Sequence, residues 1–297
     1  MAPLIVEVAG TRRSGAALRI LSVERRLLHE IPFLVPAIGG GLETRKLTVL
    51  SAVVDRLPGE LTGMIATSDL QGFEITRGGE PGRLIGEVLA EELEVLAELG
   101  EIPPAQTLGV LLAGDMYAKR TARGGEGDAW PVWAAFAGRF KWVIGVAGNH
   151  DRFGADLRVN LPATHRVPNV ALLDESCAER DGLRVAGVSG IVGDPRKRVL
   201  RRSQAGFLAA VDRIMRNSPH VLLLHQPPAM AEPGFPGDAA LTERLSGRQD
   251  LLVICGHLDW KGPLATIPRG PQVLNVNSAA FVLTECPNYN HSPVERS

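Results

Sequence analysis

Five short apolar runs in this chain each end on a side chain able to hold a cation or a proton. That recurrence constrains the fold more than any other feature. Val143, Ile144, Val146 and Ala147 run into Gly148-Asn149-His150-Asp151. Met64–Ser68 leads to Asp69 and Gln71, and Leu108–Ala113 leads to Gly114-Asp115. Val221–Leu224 leads to His225, and Leu251–Cys255 leads to Gly256-His257 with Asp259. A short continuous apolar run reads as a strand buried on both faces, and a glycine after it permits the tight turn that presents polar groups at the strand end.

Between these runs the pattern alternates. Pro81–Leu99 carries Leu84, Ile85, Val88, Leu89, Leu96 and Leu99 at helical spacing, with Gly100 to end it. A polar glycine-rich loop, Lys119–Asp128, precedes a helix that starts near Asp128 and has Pro131 in its first turn. Further strands are expected at Val170–Leu173, Leu183–Val188, Val273–Val276 and Ala279–Thr284, and a helix at Gln204–Met215. Strands alternating with helices imply a parallel sheet in the first half, and the strand-rich second half implies a second, mixed sheet packed on it. Residues 1–60 show no chemistry. Leu4–Ala9 and Leu18–Val23 could pair across Arg12–Gly15, Gly39–Gly41 breaks the chain, and Lys46–Leu57 fits helix or strand. The expected division is an N-terminal extension at 1–60 packed on one main domain at 61–285, with a polar tail at 286–297.

Composition excludes several classes. A hydrophobic content of 45%, 22% charged residues and a net charge of −1 describe a globular chain with no whole-surface attraction to nucleic acid or anionic lipid. The 3 cysteines, Cys177, Cys255 and Cys286, are scattered and odd in number, which favours a reducing, cytoplasmic setting over a disulfide framework. No secretory signal is evident at the amino terminus, and no apolar run approaches the ~18 residues of a membrane span.

Mixed His nitrogen and Asp or Asn oxygen donors suit zinc, manganese or iron. Two such ions roughly 3.5–4 Å apart can clamp a phosphate and ionise the attacking water. In this light the order Asp69-x-Gln71, Gly114-Asp115, Gly148-Asn149-His150-Asp151, His225, Gly256-His257-x-Asp259 resembles the calcineurin-like metallophosphoesterases, whose blocks run D-x-H, G-D, G-N-H-D/E, H, G-H-x-H. The match spans roughly Met64 to Thr284. It implies an α/β fold, a four-layer α/β/β/α sandwich of two mixed β-sheets flanked by helices. It also implies two divalent metal ions. Asp115 would bridge them, Asn149, His225 and His257 would complete a site for Mn, Fe or Zn, and Asp69 would ligate the second ion. His150 would donate a proton to the leaving oxygen or stabilise the transition-state charge, Asp151 would orient His150, and metal-bound hydroxide would attack the phosphorus.

Two positions depart from that pattern. Gln71 and Asp259 stand where the family has histidines, so the second site becomes all oxygen: Asp69, Gln71, Asp115 and Asp259. Three states are open to it: a harder ion such as Mn or Mg, weak filling with substrate present, or none. Arg196, Lys197, Arg198, Arg201 and Arg202 form the one basic cluster of note, read either as a solvated helix start or as a contact for a substrate's remote phosphate. Trp260 could stack on a substrate ring or simply pack. His29, His165, His220 and His291 read as surface or core histidines, with His165 the candidate to replace a missing ligand. The expected activity is hydrolysis of small phosphate esters, diesters before monoesters because His150 can assist an alkoxide leaving group. The alternative is a catalytically weak scaffold that binds proteins. A nuclease is disfavoured by the scarcity of basic surface, and the oligomeric state is open.

Overall fold

The computed structural model describes residues 18–153, 167–196 and 200–287. Gly39, Gly40 and Gly41 all adopt positive φ, a conformation that side chains resist, and they reverse the chain between its two longest strands, Ile20–Pro36 and Leu42–Val54. Thus the partner of the 20–36 strand follows it, and the ambiguous stretch after Lys46 is strand. The other expected pairing segment, Leu4–Ala9, lies outside the described residues.

This hairpin forms part of a nine-stranded mixed sheet. Its spatial order is Val170–Leu172, Trp142–Gly145, Leu108–Leu112, Gly63–Thr67, Ala279–Glu285, Leu42–Val54, Ile20–Pro36, Phe73–Ile75 and Pro81–Leu84. The first four run parallel, and Ala279–Glu285 joins them to the hairpin, antiparallel to Gly63–Thr67 and parallel to Leu42–Val54. Residues 20–54 form interior strands of the larger sheet. A six-stranded mixed sheet follows the order Ser176–Arg180, Leu183–Val188, Val221–Leu224, Leu252–Cys255, Gln272–Asn275 and Leu264–Thr266.

Four α-helices occur among the described residues: α1 (Ile85–Glu98), α2 (Trp130–Ala137), α3 (Gln204–Met215) and α4 (Ala239–Leu245). Helix α1 begins four residues later than its apolar spacing suggests. Pro81 and Gly82 are poor helix formers and instead build an edge strand, and the Glu87 side chain accepts from the Leu84 N–H to start the helix there. Helix α4 is too short for its periodicity to be legible.

Buried side chains form three cores. Leu89, Leu93, Trp133 and Phe136 of α1 and α2 pack on Leu47, Val49, Val110 and Val143 of the larger sheet. Leu111, Ile144 and Phe281 of that sheet meet Val185, Leu223 and Ile254 of the smaller one. Phe207, Val211 and Leu241 of α3 and α4 pack on Val188, Leu222 and Val253. The strands Gly63–Thr67, Leu108–Leu112, Trp142–Gly145, Val221–Leu224 and Leu252–Cys255 are buried along their whole length, which accounts for their uniformly apolar runs.

The hairpin's place in the core carries a measurable cost. Leu47 is buried against α1, so Leu47→Ala is expected to lower stability by roughly 2–5 kcal/mol in urea denaturation. The exposed Leu27 on the same hairpin serves as the control, with a change of about 0.5 kcal/mol or less. Equal, small effects at both positions would mean the hairpin is peripheral after all.

Candidate metal centre

Each strand that carries a polar terminus ends in a turn that aims the next side chain sharply. Asp69, Asp115 and His257 all sit at positive φ (57°, 58° and 73°), a costly conformation for residues with a Cβ and one that persists where the surroundings enforce it. The glycines of the motifs are dictated by contact. A Cβ on Gly148 would lie 2.0 Å from Asp115 Oδ1, and one on Gly256 would lie 2.1 Å from Ser68 Oγ and 2.4 Å from Asp69 Oδ2. Any side chain at either position would push the loops apart.

The loops meet around Asp115, which is buried. Its Oδ2 lies 3.2 Å from His225 Nε2, 3.9 Å from His150 Nε2, and accepts a hydrogen bond from Gln71 Nε2 at 3.2 Å. Its Oδ1 accepts from the His150 backbone N–H at 2.8 Å. One ligand atom from each of Asp115, His225 and His257 can be chosen so that all lie within 4.8 Å of one another. The two imidazole rings have centroids 4.9 Å apart, and His225 Nδ1 is anchored 2.8 Å from the Ala113 carbonyl, which leaves Nε2 for a ligand.

Charge is unevenly shared here. Burial opposes ionisation of Asp115, yet the neighbouring His225 and His150 rings hold it low, at about 2. His225 moves the other way: burial favours its neutral form, but Asp115 and Asp69 outweigh that and raise it to about 10. His257 drops to about 4 through burial and the charge of His225. Burial lifts Asp69 to about 6 despite the pull of His225. Two carboxylates thus draw positive charge to one buried point.

The donor set fits a cation there. Asn149 Oδ1 is buried without a hydrogen-bond partner among the described residues, whereas buried polar atoms are ordinarily satisfied, and the buried His225 Nε2 faces the Asp115 carboxylate at 3.2 Å. A cation coordinated by these two atoms, Asp115 and His257 would satisfy Asn149 Oδ1. The all-oxygen set fits less well. Gln71 turns its amide nitrogen, which cannot ligate, toward Asp115. Asp69 Oδ2 accepts from Ser68 Oγ and the His257 N–H, and the exposed Asp259 accepts from Asn277 Nδ2 at 2.6 Å. Neither of these two carboxylates offers a comparable buried, unpartnered atom.

Asp151, expected to orient His150, also serves the backbone. Its buried carboxylate accepts from the backbone N–H groups of Asp115, Met116, Tyr117 and Gly148, at 2.8, 2.7, 3.2 and 3.0 Å. It therefore pins the two loops that carry Asp115 and Asn149 to each other.

Of the expected substrate contacts, Trp260 and Arg196 are among the described residues. Trp260 donates to the Pro236 carbonyl and stacks edge-on against Phe235 at 5.2 Å, so it packs the smaller sheet's outer core. Arg196 is exposed and holds its neighbour Asp194, while Arg202 pairs with Asp174 and Glu175. Arg198, Lys197, His165 and His291 lie outside the described residues. A cavity does open on the centre, floored by Asp69, Gln71, His257 and Asp259. Its cationic lining is Arg45, Lys119 and Arg123, which sequence reasoning missed. The glycine-rich Lys119–Asp128 loop is visible in the sequence, but nothing in its residues says that it faces the ligands, and Arg45 sits in a strand with no motif.

No family model matches the chain, and no curated protein matches it. Among solved structures the chain is similar to TT1561 of Thermus thermophilus, at 17% identity with a TM-score of 0.51, over 72% of this chain and 88% of that one. At that identity the likeness is one of fold, and the chain has a mixed α/β fold of that kind.

Proposed function

We infer that this protein is a metal-dependent hydrolase of phosphate esters, of the calcineurin-like metallophosphoesterase class, with phosphodiesters its better substrates. The observation that carries the reading is the meeting of Asp115, His225 and His257 from three separate loops beside a buried, unpartnered Asn149 Oδ1. The three stacked cores, helices on sheet, sheet on sheet and sheet on helices, agree with the four-layer sandwich of that class. Among the described residues no helix is long and apolar enough to cross a membrane.

Asp115, Asn149, His225 and His257 would hold one divalent ion, for which this mixed nitrogen and oxygen set favours manganese, iron or zinc. When bound, such an ion supplies positive charge to the phosphate oxygens and acidifies water. The protein's own residues do the rest. His225 is fixed through Nδ1, so its Nε2 cannot swing away from Asp115. His150, held by its backbone to Asp115 Oδ1, presents Nε2 beside the same carboxylate, where it can pass a proton to the departing oxygen. Gly124 leaves room on that side, since a Cβ there would come 3.2 Å from His150 Cε1. A small organic phosphate reaches this point through the cavity over His257.

Protein reconstituted with manganese should turn over bis-p-nitrophenyl phosphate. His150→Ala should lose about 10²- to 10⁴-fold in kcat with its metal content unchanged. Asp115→Asn should lose both turnover and metal. Absence of turnover with manganese, zinc and iron alike would favour the protein-binding scaffold instead.

The fit of the donor sets also determines the stoichiometry. Elemental analysis of protein purified without chelator should give a single metal equivalent per chain. The double substitution Gln71→His with Asp259→His, which restores two imidazoles, should raise it to two. Two equivalents in the unaltered protein would show that the oxygen-only residues bind an ion as they stand.

A further inference from the structure

The three cations around the cavity are not equivalent to the other basic residues nearby. Arg120, one residue from Lys119, is spent on the fold: its guanidinium donates to the Pro81 and Gly82 carbonyls and lies over the Phe73 ring. Lys119 and Arg123 have no side-chain hydrogen bond or ion pair among the described residues, yet both line the cavity. Their loop is shaped to bring them there. Lys119 bridges to Ala122, Gly124 turns at φ 72° beside His150, and Gly125 lies so close to Lys119 that a Cβ would come 2.4 Å from the lysine Cβ. Across the cavity stands Arg45, held by Glu43 through its Nε at 2.8 Å. Phe33, Val35 and Tyr117 also line the cavity, the first two as edges of the buried core.

An anion held here would share the cavity with three cations and with His257 of the candidate metal centre. We propose that Lys119, Arg123 and Arg45 form a second anion subsite, so that the cavity takes small organic molecules carrying two anionic groups. The phosphate to be cleaved sits at the Asp115, His225 and His257 cluster, and the second phosphate or carboxylate sits between Lys119 and Arg123. This deepens the hydrolase reading and rests on it for the identity of the first group. Charge-assisted contacts from guanidinium and ammonium groups are the usual means of holding such an anion.

Isothermal titration of the manganese-loaded protein with adenosine 5′-monophosphate and with adenosine 3′,5′-bisphosphate tests the proposal. The bisphosphate should bind about tenfold more tightly, the least expected from one added charge-assisted contact. In Lys119→Ala with Arg123→Ala the ratio of the two dissociation constants should fall toward one, and in Lys119→Arg with Arg123→Lys it should persist. Equal affinities in the unaltered protein, or a preference that survives the double alanine variant, would overturn the subsite. Turnover of bis-p-nitrophenyl phosphate by the same preparation separates this result from the hydrolase reading. Turnover without the preference removes the subsite alone. The preference without turnover keeps the subsite and removes the hydrolysis.

Discussion

The carboxylate of Asp151 is fully buried and faces four backbone N–H groups, three from residues 115–117 and one from Gly148. Each of those donors would otherwise be a polar group in an apolar interior, where an unmet hydrogen bond costs on the order of 1–3 kcal/mol. The two strands that deliver Asp115 and Asn149 lie side by side in the sheet, but their turns could diverge once the ladder ends. Asp151 prevents this by capping both turns at once. Burial and the charge of Asp115 push its own carboxyl up to about 7, so the clamp sits at the limit of what the interior tolerates as an anion. The left-handed backbone of Asp115 and the absence of a Cβ at Gly148 follow from the same contact, because the loops must come within hydrogen-bonding distance for one carboxylate to serve them.

With that clamp in place, the electrostatics of the centre become asymmetric. One side gathers His225, Asn149 and His257 about Asp115, with the buried Asn149 Oδ1 unpartnered among the described residues. On the other side Gln71 donates to Asp115, Ser68 and the His257 N–H occupy Asp69, and Asn277 occupies Asp259. A glutamine in place of an imidazole matters through its donor. Its amide N–H satisfies the Asp115 carboxylate directly, whereas a neutral imidazole would turn a lone pair toward a cation shared with that carboxylate. The second departure compounds the first, since Asp259 is exposed and can keep its charge in water without any ion.

How much of this is legible in the sequence depends on periodicity and contact. The strands ending at Thr67, Leu112, Gly145, Leu224 and Cys255 are legible because strands buried on both faces leave uninterrupted apolar runs, and helix α3 is legible because its burial repeats over three turns. The hairpin is not. Its two strands have one face partly exposed and register shifts between Ile20 and His29, which break the alternation that would mark them. The motif residues come together because the parallel strands deliver them to one end of the sheets. The work of Asp151 is hidden, since hydrogen bonds to backbone donors leave no trace in the identity of those donors. Trp260 misleads for a related reason: proximity in sequence to a ligand loop says nothing of which face of the loop a side chain takes.

The hairpin also explains why the cavity has the walls it has. A sheet that ended at the Ala279–Glu285 strand would leave the space beside His257 open to solvent. Adding two long strands carries Phe33, Val35 and Arg45 past that edge, and they become one side of a cleft whose opposite side is the Lys119–Gly125 loop. Phe33 and Arg45 face each other across the ladder, so an apolar residue and a cation arrive at the cleft from neighbouring positions. Gly72 is fixed by the same packing, because a Cβ there would lie 2.2 Å from the Phe33 ring. The residues between Asp69 and the first helix are thus held against the hairpin, and Gln71 is held with them. The part of the chain with no motif of its own therefore governs both the shape of the entrance and the position of Gln71, which donates to Asp115.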